Sequence, residues 1–175
     1  MSYIPLAIDS PGIVGLLETF EDTGKILRSL ADTLLNKNTN AFNKAERETV
    51  ASYVSFLNNC KFCYNSHSAV ADCLWNDKGK TSTIINNLVS NDDKMNAMLK
   101  ITKKLHESPQ GLKQNDIDSL AIFNFTPNDI NDLILIISSF CMFNRYVDGL
   151  GTTHALNDEM YNQMGEQIAK NGYIK

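Results

Sequence analysis

Four side chains in the first half of the chain have types and spacing that could do chemistry together: Glu48, Cys60, Cys63 and His67, in the pattern E-x11-C-x-x-C-x3-H. Two cysteines separated by two residues can close a disulfide over one helical turn. At the start of a helix, unpaired N–H groups and the positive dipole end favour thiolate over thiol, and thiolate is the nucleophilic form. His67 follows Cys63 by four residues, one turn further along the same helical face. There an imidazole can accept a proton from a cysteine or give one to a leaving alkoxide. Glu48 precedes Cys60 by twelve residues and falls on the preceding helix. It can orient the imidazole, or take a proton from the pair through a water, as a third group supports a nucleophile and its base. Proximity to His67 favours Cys63 as first attacker and the helix-terminal position favours Cys60, so the order stays open.

Other chemistries fit these residues less well. Cys60, Cys63 and His67 would be three zinc ligands. The fourth would have to come from Cys73, His106, His154 or a carboxylate, and no second Cys-x-x-Cys or His-x3–5-His pair is present. Covalent haem attachment needs histidine directly after the second cysteine, where this chain has Tyr64. A thioredoxin-type site needs a strand before the motif, and no segment reads as one. Two ordinary buried thiols with a chance histidine would leave the shared helical face unexplained. Cys73 and Cys141 stand alone in apolar surroundings and are expected to be buried small hydrophobes.

The segments that must position this set carry helical rather than alternating periodicity. Pro11-Gly12 opens a short apolar segment, and Ile26, Leu27, Leu30, Leu34 and Leu35 follow as a stripe at helical spacing. Residues 36–43 read as a loop. A helix is expected over 44–58, with Val50, Val54 and Leu57 on one face, and a second from Cys60 to Trp75. Residues 76–80 form a turn around Gly79, with Thr81 or Ser82 placed to cap a short helix through Ile84, Ile85, Leu88 and Val89 that ends near Ser90-Asn91. The next runs from Met95 to Leu105 and stops at Ser108-Pro109, because the residue before proline avoids the helical region. Residues 115–123 make another short one. Thr126-Pro127 is a capping hydroxyl followed by proline at the first helical position. The helix it opens, to about Val147, is the most apolar and is expected to be the central element; Gly149 and Gly151 end it. A last amphipathic helix covers 156–170. The expectation is a single all-α domain over residues 1–175.

Bulk composition agrees with an ordinary globular chain. At 175 residues, with 43% hydrophobic and 21% charged residues, one compact core is possible. The net charge of −4, with no basic patch among aromatics, argues against a nucleic-acid partner. Residues 1–15 carry Asp9 and Pro11 and no positive charge, unlike a secretory leader. The apolar run 133–143 is short of the ~20 residues of a membrane span. A cytoplasmic location is therefore expected, with thiols kept reduced.

With all four residues in place, the pattern resembles the AhpD-like alkylhydroperoxidase branch of the carboxymuconolactone decarboxylase superfamily, and its peroxidase-related members. The resemblance spans Pro11 to Gly151 and includes residues 46–74 and the block Phe143-Asn144-Arg145-Tyr146-Val147-Asp148-Gly149-Leu150-Gly151. It implies an all-helical fold assembled as trimers or hexamers. It also implies reduction of hydroperoxides by Cys60 and Cys63, with Glu48 and His67 as proton relay and no cofactor. The oxidised pair would be restored by a dithiol donor, a lipoylated or thioredoxin-like protein, as part of antioxidant defence. Better-studied members carry histidine directly before the second cysteine; here Phe62 stands there, so one relay group of the family is missing. The decarboxylase branch does not depend on a cysteine pair. Arg145 is a candidate to bind an anionic substrate or hold a carboxylate near the site. A structural role for Asn144, Arg145 and Asp148, tying the long helix to a neighbour or capping its end, is at least as well supported, and none is counted as catalytic. A disulfide-exchange or redox-sensing module, and a zinc-binding structural oligomer, are the competing readings.

Overall fold

A computed structural model of the chain describes residues 2–8, 10–87, 92–152 and 156–174. Among them are nine α-helices and no strand: α1 (Ile13–Thr19), α2 (Glu21–Leu35), α3 (Lys44–Leu57), α4 (Lys61–Trp75), α5 (Lys80–Asn87), α6 (Asp93–Glu107), α7 (Gln114–Ala121), α8 (Pro127–Gly149) and α9 (Asp158–Asn171). The expected Leu88, Val89 and Ser90-Asn91 end of the fifth helix, and His154, lie outside the described residues.

Local chemistry explains most boundaries. Asn43 caps α3 in a capping box with Glu46, and Thr126 caps α8 in another with Asp129, with Pro127 in the first turn. Ser108 ends α6 in extended conformation, as the following proline requires. The short turn from α3 to α4 uses Asn59 at φ 58°, a left-handed conformation that asparagine tolerates. Two details differ from the sequence reading. Helix α5 starts at Lys80, so Thr81 and Ser82 lie inside its first turn. Its N-terminal N–H groups are instead met from α4, where the Asp72 carboxylate accepts from Gly79 N (2.6 Å) and Thr81 N (2.8 Å). Ile26 is exposed, because it falls one residue, about 100° of helical rotation, off the inward line of Leu27, Leu30 and Leu34.

The central element is α3 rather than α8. Every residue from 45 to 55 is buried, including Glu46, Arg47, Glu48, Thr49, Ser52 and Ser55. Helix α3 packs against α4, α6 and α8, and α4 in turn against α9. Gly165 lets α9 lie close: a Cβ there would meet the Ala69 backbone of α4 at 2.8 Å. Helix α8 is, at 23 residues, long and apolar enough to cross a membrane, more than its run 133–143 suggests. One side of it, Leu133, Ile136, Ile137, Phe140 and Phe143, packs into the protein core.

Candidate active site

Cys60 is the N-cap residue of α4, Cys63 lies in its first turn, and His67 lies one turn on. Glu48 reaches them from α3. The structure brings all four together. Both sulfurs are buried, Cys60 fully and Cys63 to 4% exposure, in a small apolar cluster with Phe62, Val147 and Tyr161. His67 Nδ1 is 2.7 Å from Glu48 Oε2. An ionised carboxylate only accepts, so Nδ1 carries the proton of this contact and Nε2 is left for other partners. The edge of Phe140 meets the imidazole at 4.5 Å between centroids and 90°, which fixes the ring plane.

The environments of the two cysteines differ. The Cys63 thiol is held below its ordinary range. The largest cause is a hydrogen bond from Cys60; burial opposes it, and the charge of His67 and the Asn144 amide add to it. Cys60 is pushed strongly upward, first by its hydrogen bond to Cys63, then by burial. Of the two, the ionised form is favoured at Cys63 and the protonated form at Cys60.

Two groups escaped the sequence reading. Asn144, expected to tie α8 to a neighbour or cap it, is also buried against Cys63. Its amide is fixed by Asn58 Nδ2 donating to Asn144 Oδ1 (2.9 Å) and by its own donation to Ser55 Oγ (3.1 Å). Asp148, exposed at the end of α8, is the last of the causes that raise the Cys60 thiol. Arg145 is exposed and donates to the Cys141 carbonyl at 2.7 Å, a local helix contact. Tyr173, just beyond α9, donates from its hydroxyl to Glu48 Oε1 at 2.6 Å. Neither Asn144 nor Tyr173 belongs to the four-residue pattern; only the resemblance of the 143–151 block hinted at the first.

A cavity of about 280 Å³ opens onto this group. Cys63, His67 and Tyr173 line it, and its walls are apolar: Ile13 and Leu17 of α1, Leu27 of α2, Phe140 and Phe143 of α8, Met164 and Ile168 of α9. Arg28 and Glu18, paired at 3.3 Å, are also among its lining residues. Phe62 lines the cavity wall as well. Its ring fills the space a Cβ on Gly12 would occupy, and Gly12 has φ 59°.

The other two cysteines are not buried as expected. Cys73 is exposed and Cys141 half-exposed. On α4 the inward positions are Val70 and Ala71, so Cys73 turns outward. Cys141, beside the inward Phe140 of α8, keeps one side against the core, and its Sγ accepts from Asn58 Nδ2 at 3.8 Å. Among the described residues no group of three or more His, Cys, Asp or Glu side chains has the arrangement of a metal site. His106 is instead 3.0 Å from Asn58 Oδ1.

No protein-family model and no curated protein matches the chain by sequence. Solved structures do match. A peroxidase-related protein from Silicibacter sp. TM1040 superposes with a TM-score of 0.77 at 21% identity, covering 88% of this chain and 80% of that one. The alkylhydroperoxidase AhpD core of a peroxidase-related protein from Ralstonia eutropha JMP134 gives 0.77 at 24% identity, covering 89% and 81%. The chain therefore has the all-α, AhpD-like fold shared by these peroxidase-related proteins.

Proposed function

We propose that the protein is a thiol-dependent peroxidase that reduces organic hydroperoxides at Cys63, with Cys60 as resolving partner and Glu48 and His67 as proton relay. The observation that carries this reading is a cysteine on the wall of an apolar cavity, beside a histidine on the same wall whose Nδ1 is held by a buried carboxylate. The same observation favours Cys63 as first attacker in the order left open by sequence, because Cys63 lines the cavity and Cys60 does not.

In the first step the Cys63 thiolate attacks the distal oxygen of ROOH and the O–O bond breaks. The departing alkoxide takes a proton from His67 Nε2 and leaves as ROH, and Cys63 becomes a sulfenic acid. Cys60 then gives up its proton, with Asp148 as the proposed acceptor, and attacks the Cys63 sulfur. Hydroxide leaves, is protonated as water, and the Cys60–Cys63 disulfide forms. Two electrons have passed from the thiols to the peroxide. An external dithiol returns them by exchange and is itself oxidised.

Burial of both sulfurs bears on that donor. A slender dithiol such as a lipoyl arm fits the cavity route better than the active site of a folded thioredoxin-like protein. For the same reason direct exchange with protein disulfides is the weaker reading. An antioxidant role in a reducing, cytoplasmic setting goes with an exposed Cys73 that must stay free. Assembly into trimers or hexamers belongs to the same proposal. Exposed Leu135 and Met142 of α8 and Phe56 of α3 offer apolar surface for it.

The test is mass spectrometry of the fully reduced protein after one equivalent of an organic hydroperoxide, with no reductant. A Cys60–Cys63 disulfide formed within seconds, with Cys73 and Cys141 still free, is expected. Both thiols remaining reduced over minutes would remove peroxide reduction as the activity.

A further inference from the structure

The Glu48–His67 pair has a third member outside the helical bundle's motif. We infer that Tyr173 is a positioning residue of the relay: its hydroxyl, by donating to Glu48 Oε1, keeps that carboxylate aimed at His67 and so fixes the imidazole that serves Cys63. The inference rests on the peroxidase reading of the site but concerns the ionisation of Cys63, which can be read without turnover.

The geometry is specific. The hydroxyl donates to Glu48 Oε1 at 2.6 Å, while Glu48 Oε2 faces His67 Nδ1 at 2.7 Å, so the two carboxylate oxygens are divided between tyrosine and histidine. The same hydroxyl oxygen is 3.2 Å from His67 Nδ1, and the two rings stack at 6.1 Å and 27°. Glu48 is 2% exposed. A carboxylate taken from water to that depth needs protein donors for its oxygens, and Tyr173 supplies the one at Oε1. Tyr173 is suited to donate, since burial and then the charge of Glu48 raise its pKa well above the usual value and it keeps its proton. Without the hydroxyl, Glu48 Oε1 loses its donor, the carboxylate is free to turn away from His67 Nδ1, and Cys63 loses the oriented imidazole whose charge favours its thiolate.

The chain is shaped to deliver this hydroxyl. Gly172 turns after α9 at φ 77°, where a Cβ would meet Asn36 Nδ2 at 2.4 Å and Asp32 Oδ1 at 2.6 Å. Tyr173 N then donates to Asp32 Oδ1 at 2.8 Å, which pins the segment to α2. Tyr173 also lines the cavity, so the residue that steadies the relay forms part of the substrate wall.

Several other charged or titratable groups face the Cys63 environment. They are Cys60 and Asp148 on the sulfur side, Tyr161 from α9, Glu18 and Arg28 from α1 and α2, and Asp32 behind Tyr173. Each of them stays in place when Tyr173 becomes phenylalanine, which keeps the ring against His67 and removes only the oxygen.

The experiment is the rate of Cys63 alkylation by iodoacetamide against pH, resolved by mass spectrometry, in the parent protein and in Tyr173→Phe, Gly172→Ala, His67→Ala and Glu48→Gln. The parent midpoint is expected below the ordinary thiol value of about 8.5. Tyr173→Phe is expected to raise it by about one pH unit, with Gly172→Ala moving it the same way. In a Glu48→Gln background the further change Tyr173→Phe should add little, because the hydroxyl acts through the carboxylate. A Tyr173→Phe midpoint equal to the parent's while His67→Ala raises it overturns the inference and leaves the relay standing. Shifts that simply add in the double variant also overturn it. A midpoint moved by neither His67→Ala nor Tyr173→Phe overturns the relay reading itself and this inference with it.

Discussion

Arg47 and Glu48 are neighbours on α3, both charged and both buried, yet they belong to networks of opposite kinds. Arg47 is enclosed on all sides. Its Nη1 donates to Asp132 Oδ2 (3.0 Å) and to the Leu34 carbonyl (2.8 Å), its Nε to the Phe42 carbonyl, and its guanidinium lies 4.2 Å over the Phe42 ring. Asp132 also receives Lys37 at 2.9 Å, and Thr39 donates to Asp129 at 2.6 Å. That network ties the loop before α3 to the start of α8. Glu48 also joins distant segments, but its partners are a histidine and a tyrosine on the wall of a cavity. One network ends in closed packing, the other at a sulfur facing open space. The contrast teaches that burial of charge alone does not mark a site. What marks it is a titratable chain that terminates at a cavity.

The comparison can be broken first on the stability side. Arg47→Met leaves Asp132 with Lys37 alone and the Leu34 and Phe42 carbonyls without their donor, and should lower stability by about 1–3 kcal/mol, the cost of buried acceptors left unmet. Peroxidase activity per folded molecule should hardly change, as urea melts beside initial rates would show. Replacing Asp132 by leucine in the same protein should return part of the loss.

On the other side of α3, Glu48→Gln keeps shape and burial. It should slow peroxide reduction by about 10–100-fold, less than the ~10²–10⁴ that removing His67 itself would take away, with a melting temperature close to the parent's. It should also move the acid limb of the rate profile upward, since the Cys63 thiolate is depleted as pH falls through its folded pKa and loses imidazolium support in the variant. Initial rates from pH 5 to 9 read both effects.

Asp129 gives a smaller, pH-gated effect. Burial opposes its ionisation, but hydrogen bonds from Thr126 and Thr39 and the charge of Arg47 hold its pKa below the usual value. A depressed carboxyl contributes stability that is complete above its unfolded pKa of about 3.9 and is lost as pH falls through the folded one. Asp129→Asn should therefore be destabilised relative to the parent at pH 6, with the gap closing in acid, by denaturant titration at each pH. The smallest effect is expected from Cys73→Ser and Cys141→Ser. Neither thiol touches the relay, and rate and stability should stay within error of the parent.

Much of this was legible before the structure. The spacing of Glu48, Cys60, Cys63 and His67 depends on helical geometry within and between two adjacent helices, which periodicity reveals. Caps such as Thr126-Pro127 are local chemistry and could be read directly. The centrality of α3 could not. Its Thr49, Ser52 and Ser55 look like a solvated face, and are buried only because partners exist: Trp75 Nε1 donates to Thr49, Ser68 meets Ser52, and Asn144 donates to Ser55. Those partners lie up to 89 residues away. Tyr173 was out of reach for the same reason, standing 125 residues from Glu48 with only a glycine turn to announce it. The exposure of Cys73 and Cys141 turned on helix phase, which apolar neighbours in sequence do not fix.

The most direct test of the division across α3 is to ask which sulfur meets the peroxide. Cys60→Ser protein, fully reduced, would receive one equivalent of an organic hydroperoxide in the presence of a dione that traps sulfenic acids, followed by peptide mass spectrometry. A single adduct on Cys63, lost in the Cys60→Ser/His67→Ala protein over the same interval, is the predicted result. An adduct only on Cys73 or Cys141, or none at all while the hydroperoxide persists, would contradict it.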